Sequence, residues 1–284
     1  MLVEKKEIKV EKAVLPVAGL AKRWGEITQY IPKELIPIVR RDTANIKPAI
    51  QYVIEEVIDS GVKELIFVMD FKKKALVNWI NNPPQTIKNK IATKPYPVVF
   101  KMVEQDRPRG LGHAIGCARS EIGDEFFMVA LPDDIVIYGV PPAKRMVDVC
   151  KKYNSSVLLS HTVPKTELPF YGVLFSTPVE KNIDEVHEMI EKPNASLIED
   201  MQKKREHNMT TISGRYILKA PEIFKEIDNT KPGARNEIQI TDAIFNLKKS
   251  GHKVYSLLDE GFRIDTGAPH RYLQATHFFY SADS

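Results

Sequence analysis

Between Ala13 and Leu131 the apolar positions fall into two alternating patterns. The first is a short unbroken run, Ala13-Val14-Leu15-Pro16-Val17-Ala18, which reads as a buried strand and breaks at Gly19. The second is helical: Ala49, Ile50, Val53, Ile54, Val57 and Ile58 share one face, closed by Gly61. The two kinds then repeat. Glu64 to Met69 reads as a strand ending at Asp70, and Lys72 to Ile80 as a helix stopped by Asn81-Asn82-Pro83-Pro84. Val98 to Val103 is another strand, Gly110-Leu111-Gly112-His113-Ala114 opens a helix, and Phe126 to Leu131 is a strand ending at Pro132-Asp133-Asp134. This alternation predicts an α/β fold, a Rossmann-like doubly wound and mainly parallel sheet. Ligands of such sheets sit outside the carboxyl ends of the strands, where Asp70, Gln105 and Asp133 fall.

The rhythm changes after a helix over Pro142 to Lys152. Short strands at Val157 to His161, Gly172 to Phe175, Val186 to Ile190 and Ile212 to Leu218 are separated by longer polar connections. They predict a smaller mixed β region joined to the parallel sheet. No internal repeat or low-complexity linker divides the chain. The expected organisation is a tail or edge segment over 1–12 and one domain over 13–284, with halves meeting near 140.

Composition narrows the function without naming it. The chain has 284 residues, 43% hydrophobic and 27% charged, enough for a sizeable core. A net charge of +4 suits an anionic small substrate but not a nucleic-acid face, which clusters its Lys and Arg. The basic residues near the start, Lys5-Lys6 to Lys12, are interleaved with Glu4, Glu7 and Glu11 and read as a solvated tail. Cys117 and Cys150 stand far apart, so neither a disulfide framework nor a zinc site is expected. With no apolar run of membrane length and no apolar leader, the expected location is the cytoplasm.

Four stretches carry chemistry. After Gly19 comes a loop with Lys22, Arg23 and Lys33; small residues beside cations at a strand end suit phosphates, although a solvated βα loop looks the same. Asp133 ends a buried strand as either a helix N-cap or a metal ligand, and Asp265 in Arg263-Ile264-Asp265-Thr266-Gly267 has the same character. Two such carboxylates beside a phosphate loop would suit Mg²⁺, which takes one or two protein carboxylates and fills its other positions with phosphate and water. Glu191-Lys192 is either a surface ion pair or part of a site.

Taken in order, these stretches resemble the sugar-1-phosphate nucleotidyltransferases, most closely the bacterial-type UTP–glucose-1-phosphate uridylyltransferases. The resemblance spans Lys12 to Gly267. It is carried by Pro16-Val17-Ala18-Gly19-Leu20, Ile31-Pro32-Lys33-Glu34, Lys47-Pro48, Gln105, Gly110-Leu111-Gly112-His113-Ala114 and Leu131-Pro132-Asp133. It continues through Tyr171-Gly172-Val173, Glu191-Lys192-Pro193, Gly214-Arg215-Tyr216, Glu237 to Ala243 and Asp265-Thr266-Gly267. It implies a nucleotide-diphospho-sugar transferase fold, with nucleotide bound by the first half and sugar phosphate by the second. It further implies that Ala18 and Gly19 backbone, the Gln105 side chain and nearby Gly110 face the base. Arg23 would hold the β- and γ-phosphates, Lys33 the α-phosphate, and Asp133 and Asp265 Mg²⁺. Gly172 and Glu191 would face the sugar and Lys192 its phosphate. The implied substrates are UTP and a sugar-1-phosphate, with no nucleic acid or membrane partner; a homo-oligomer is left open. His113 is assigned to packing or capping, and Glu237 to Ala243 to support of the site.

The opening loop departs from the family's Gly-x-Gly-Thr-Arg pattern. Ala21 stands for the second glycine, Lys22 for the threonine, Glu26 for a proline and Gln29 for a lysine, while Arg23, Thr28 and Lys33 are kept. Arg40 to Ile46 lengthens the next connection. Two alternatives therefore stand beside the leading one: a relative using another base or sugar, and a regulatory homologue that binds nucleotide sugar with weak turnover.

Overall fold

The computed structural model describes residues 7–39, 46–137, 139–203, 208–233 and 236–282. Residues 1–6 of the expected tail and 40–45 of the lengthened Arg40 to Ile46 connection lie outside these residues. β1 (Lys12–Pro16) runs into the cationic loop, where Lys22–Gln29 and Lys33–Leu35 form short 3-10 turns. β2 (Pro37–Ile38) and β3 (Lys47–Pro48) pair across the loop's end. There follow α1 (Ala49–Asp59), β4 (Glu64–Met69), α2 (Lys74–Asn81), α3 (Gln85–Ala92), β5 (Val99–Glu104), α4 (Leu111–Cys117), α5 (Arg119–Ile122), β6 (Phe126–Ala130) and β7 (Asp134–Ile137). Next come α6 (Pro142–Tyr153), β8 (Ser156–His161), β9 (Gly172–Glu180), β10 (Ile183–Glu191), α7 (Ala195–Lys203) and β11 (Asn208–Lys219). α8 (Glu222–Asn229), α9 (Ile240–Lys249), β12 (Val254–Leu258), β13 (Phe262–Asp265) and α10 (Pro269–Ala282) complete the order.

A single nine-stranded sheet runs through both halves, in the order β5-β4-β1-β6-β11-β8-β12-β10-β9. The first four strands are parallel, as the alternation predicts. β11 enters antiparallel between β6 and β8, β12 lies parallel to β8, and β10 and β9 close the edge antiparallel. The mixed region is thus continuous with the parallel one. Successive residues of β1 feed opposite faces: Leu15 packs with Ile50, Ile54 and Phe67, whereas Val14 packs with Ile66, Ile115 and Phe127. Burial on both faces is why these strands are unbroken apolar runs rather than alternating ones.

Several predicted boundaries shift. The helix expected over Lys72 to Ile80 spans Lys74–Asn81 and stops at the Asn81-Asn82-Pro83-Pro84 stretch as expected, and a further helix, α3, begins directly after it with Pro84 at its N-cap. Proline is tolerated there because the first N–H groups of a helix have no intrahelical partner. The strands expected at Gly172 and Ile212 extend to nine and twelve residues. A register shift in β11 between Ile212 and Tyr216 turns Gly214 toward the end of β6. A Cβ on Gly214 would stand 2.8 Å from the Cβ atoms of both Leu131 and Asp134, so only glycine permits this approach.

Beside that glycine, Arg215 is wholly buried and paired with Glu56 of α1, itself 1% exposed. Nη2 donates to Glu56 Oε2 at 2.7 Å and to the Asp134 carbonyl at 2.9 Å; Nη1 donates to the carbonyls of Gly214 and Leu131. Arg215→Met is expected to destabilise the protein by about 3–5 kcal/mol, because Glu56 would remain buried without its partner. Glu56→Gln, which keeps an acceptor, should cost less. Urea unfolding checks both; a loss under about 1 kcal/mol for Arg215→Met would show that the pair is dispensable.

Candidate active site

The carboxyl end of β6 builds the acidic part of the site. Leu131-Pro132-Asp133 turns there into β7, and β7 pairs with β13 so that Asp134 lies opposite Asp265. Asp133 and Asp265, far apart in sequence, converge: an oxygen of each stands 2.9 Å from where a Cβ on Gly267 would lie. Thr266 secures the turn, its N–H and hydroxyl donating to the Asp133 carbonyl at 2.7 and 3.0 Å. Asp134 is fully committed elsewhere. Its carboxylate accepts from Arg263 Nη2 at 2.6 Å and from the Gly214 N–H at 2.6 Å.

The charges of the two converging acids differ in setting. Burial pushes the Asp133 carboxyl up, but attraction to Lys33 outweighs it and holds the group below the usual range. Lys33 Nζ lies 2.5 Å from Asp133 Oδ2. Burial raises Asp265, and the neighbouring charges of Asp133 and Asp134 raise it further. Gly267 N–H donates to its Oδ1 at 2.7 Å, and Arg271 Nη1 lies 3.2 Å from its Oδ2. Excess negative charge on two oxygen donors suits a hard divalent cation that takes few protein ligands. No group of three or more His, Cys, Asp or Glu side chains forms a metal cluster among the described residues.

The cationic loop is held from below. Lys73 Nζ donates to the Val17 and Gly19 carbonyls at 2.7 and 2.9 Å and pairs with buried Glu34 at 3.3 Å. Lys73 is not a candidate on sequence grounds, since it falls in the stretch Lys72 to Ile80 that reads as a helix. Ala21 adopts the left-handed conformation, φ 49° and ψ 34°, which glycine would occupy without strain. Arg23 reaches the cavity described below. Trp24 packs edge-on against Tyr272 of α10, with ring centroids 5.3 Å apart, and Tyr272 donates to the Pro37 carbonyl.

Gln105 is buried beside the end of β4, with its backbone N–H on the Met69 carbonyl at 2.8 Å. Its side chain bonds His113, so His113 does more than cap or pack. Gly110 has φ 101°, and a Cβ there would meet the Ile238 carbonyl at 2.6 Å. The 237–239 segment is therefore drawn against the start of α4.

A cavity of about 750 Å³ opens between these parts. Arg23, Asp133, Gly172, Glu191, Lys192 and Asp265 line it, whereas Ala18, Gly19, Lys33, Gln105 and Gly110 do not; Lys33 touches it only through Asp133. Gly172 and Glu191 are paired across β9 and β10. Glu191 and Lys192 do form an ion pair, at 2.7 Å, yet both face the cavity, so the surface and site readings are not exclusive. Lys192 has φ 47°, a rare conformation for a long side chain. Thr241 donates to Glu191 at 3.4 Å, and Glu237 and Gln239 also line the cavity, so the segment expected only as support supplies part of the wall. Tyr171 lies between Arg263 and Arg271, each guanidinium 5.0 Å from its ring. These arginines, like Asp134, acquire their places only through long-range pairing, which local pattern does not reveal.

No helix among the described residues is long and apolar enough to cross a membrane. Compared with known proteins, residues 12–281 match the family model described as nucleotidyl transferase. The UTP–glucose-1-phosphate uridylyltransferase of Bacillus subtilis (strain 168) is 34% identical over 97% of this chain and 92% of that protein. A crystal structure of UDP-glucose pyrophosphorylase complexed with UDP-glucose is similar with a TM-score of 0.83 and 32% identity, over 96% of this chain and all of the other. A UTP-bound UGPase from Acinetobacter baumannii is similar with a TM-score of 0.77 and 28% identity, over 95% of this chain and 93% of the other. With a parallel sheet ending in a cationic loop and a converging acidic pair, and with residues 12–281 matching the family model, the chain belongs to the nucleotidyl transferase family.

Proposed function

We propose that the protein transfers a uridylyl group from UTP to glucose-1-phosphate, giving UDP-glucose and pyrophosphate. The observation that carries this reading is the convergence of Asp133 and Asp265 in a cavity flanked by Arg23 on one side and Glu191-Lys192 on the other. The named relatives act on or bind the same compounds. An oxygen of the sugar phosphate attacks the α-phosphorus of UTP and pyrophosphate leaves. The nucleophile is already anionic, so the chain's task is alignment and charge neutralisation rather than proton removal. Ala18 and Gly19 backbone and Gln105 meet the base, with Gly110 close by. Arg23 holds the departing phosphates and Lys33 the α-phosphate, which requires Lys33 to exchange Asp133 for substrate. Gly172 lets backbone approach the sugar, Glu191 accepts from its hydroxyls, and Lys192 neutralises its phosphate. Asp133 and Asp265 would hold Mg²⁺, which supplies charge neutralisation to the phosphate oxygens when bound. A cytoplasmic location accords with these substrates.

Three outcomes are expected. Calorimetry should detect Mn²⁺ or Mg²⁺ binding that Asp133→Ala removes, with turnover falling on the order of 10²-fold or more; full activity in excess EDTA would sink the metal assignment. Lys192→Ala should raise KM for glucose-1-phosphate roughly tenfold to a hundredfold while leaving that for UTP nearly unchanged. Equal effects on the two substrates would return Lys192 to a surface ion pair.

The loop supplies the third. Ala21 in the left-handed region carries strain of about 1 kcal/mol, so Ala21→Gly should raise kcat/KM by up to about fivefold. Arg23→Ala should abolish turnover. A wild-type rate as low as that of Arg23→Ala, with UDP-glucose still binding by calorimetry, would place the protein among regulatory homologues.

A further inference from the structure

Gln105 and His113 form a closed donor–acceptor pair. Gln105 is 3% exposed, its backbone N–H is fixed on Met69, and its Nε2 lies 2.7 Å from His113 Nδ1. The side-chain amide has little freedom in this position except to turn over, exchanging its nitrogen and oxygen. The two orientations have the same shape and opposite hydrogen-bonding character. Oxygen toward the ligand is an acceptor; nitrogen toward it is a donor. Which of them prevails is set by the partner at the other end. A neutral imidazole with its proton on Nε2 offers Nδ1 as an acceptor, so it takes the amide N–H. Oε1 is then left over, and it accepts no hydrogen bond among the described residues.

We propose that His113 is a positioning residue for base selection: by accepting from Gln105 Nε2 it turns Oε1 toward the base, favouring bases with a ring N–H over those with a ring lone pair. Uracil offers N3–H to such an acceptor, whereas cytosine presents an unprotonated N3 that repels it. The inference rests on Gln105 meeting the base, as proposed above.

The neighbours of His113 bear on how long this arrangement lasts. The titratable and charged groups that face it are Asp106 and Arg109 from the loop between β5 and α4, and Cys117 one turn on in α4, with Sγ 3.9 Å from Nδ1. Burial lowers the imidazole pKa, Arg109 lowers it further, and Asp106 acts the other way. A lowered pKa keeps the neutral, accepting form down to a more acidic pH than an ordinary histidine. Once pH falls through that pKa, Nδ1 becomes a donor. The pair then survives only if the Gln105 amide turns over and presents its N–H to the base, the orientation that suits cytosine.

The test is calorimetric binding of UTP and CTP between about pH 8 and pH 5 by the wild type, His113→Ala and His113→Asp. The ratio of the two affinities, corrected for the protonation of cytosine N3 that sets in at the acid end of this range, is the readout, since the triphosphate titrates alike in both nucleotides. The wild type should prefer UTP at neutral pH and lose that preference on acidification. His113→Ala, which leaves the amide free to turn, should lower the preference roughly tenfold at neutral pH and remove its pH dependence. The carboxylate that His113→Asp introduces is an acceptor throughout this range, so that variant should keep the preference and hold it flat with pH. A merely structural role would weaken both nucleotides equally. An unchanged ratio in His113→Ala, or an acid-sensitive ratio in His113→Asp, overturns the positioning role while leaving uridylyl transfer standing. A wild type with no preference for UTP, in binding or in transfer, overturns the uridylyl reading and this inference with it.

Discussion

Arg215 and Glu56 put two opposite charges where no water reaches them, and much of the site depends on that pair. Removing charges from water is costly, and a buried pair is tolerated only when its remaining hydrogen-bonding capacity is met. Here it is met by the carbonyls of Leu131, Asp134 and Gly214, and on the other side by the Ala143 N–H at the start of α6, which donates to Glu56 at 3.3 Å. The same bonds fix the turn that carries Asp133. A helix from the first half, a strand from the second and the acidic turn between them are thereby held as one object. Gly214 makes the arrangement sterically feasible, and Arg263 on Asp134 balances the second acid of the turn.

The fold was legible where burial is simple. Strands covered on both faces appear as apolar runs, and α1 shows one face; both signals survive without knowledge of the rest of the chain. The sequence was silent where structure depends on a distant partner. β13 is four residues long and exists as a strand through its pairing with β7, and β12 is held between β8 and β10. The proline pair before α3 stands at a helix end and a helix start at once, and local pattern showed the end of α2 but not the start of α3. Within the site, Asp133, Asp265, Arg23 and Lys192 were visible through family resemblance. Lys73, Arg271 and the Gln105–His113 bond were not, because a lysine in a basic run or a histidine in a helix looks ordinary until its neighbours are known.

The opening loop shows how a departure from a pattern is absorbed. Ala21 keeps the left-handed turn that a glycine would make, and the chain returns to positive φ at Gly25, with φ 66°, where a proper glycine stands. Thr28 closes the turn by donating to the Gly25 carbonyl at 2.9 Å. Trp24 anchors it on α10 rather than on the sheet, so the loop leans on the far end of the chain. Lys22 and Glu26 are both exposed, and solvent screening keeps their opposing influences on a bound anion small.

The convergence of Asp133 and Asp265 also has a bearing on how the protein comes into being. During synthesis the cationic loop and Asp133 leave the ribosome well before Asp265 and β13. A nascent chain therefore has its cations long before its acidic pair. The convergence of the two acids must wait until β13 is laid against β7. The separation of these two aspartates along the chain thus makes the pairing of β13 with β7 the condition for the acidic pair to exist, with no dedicated inhibitor required.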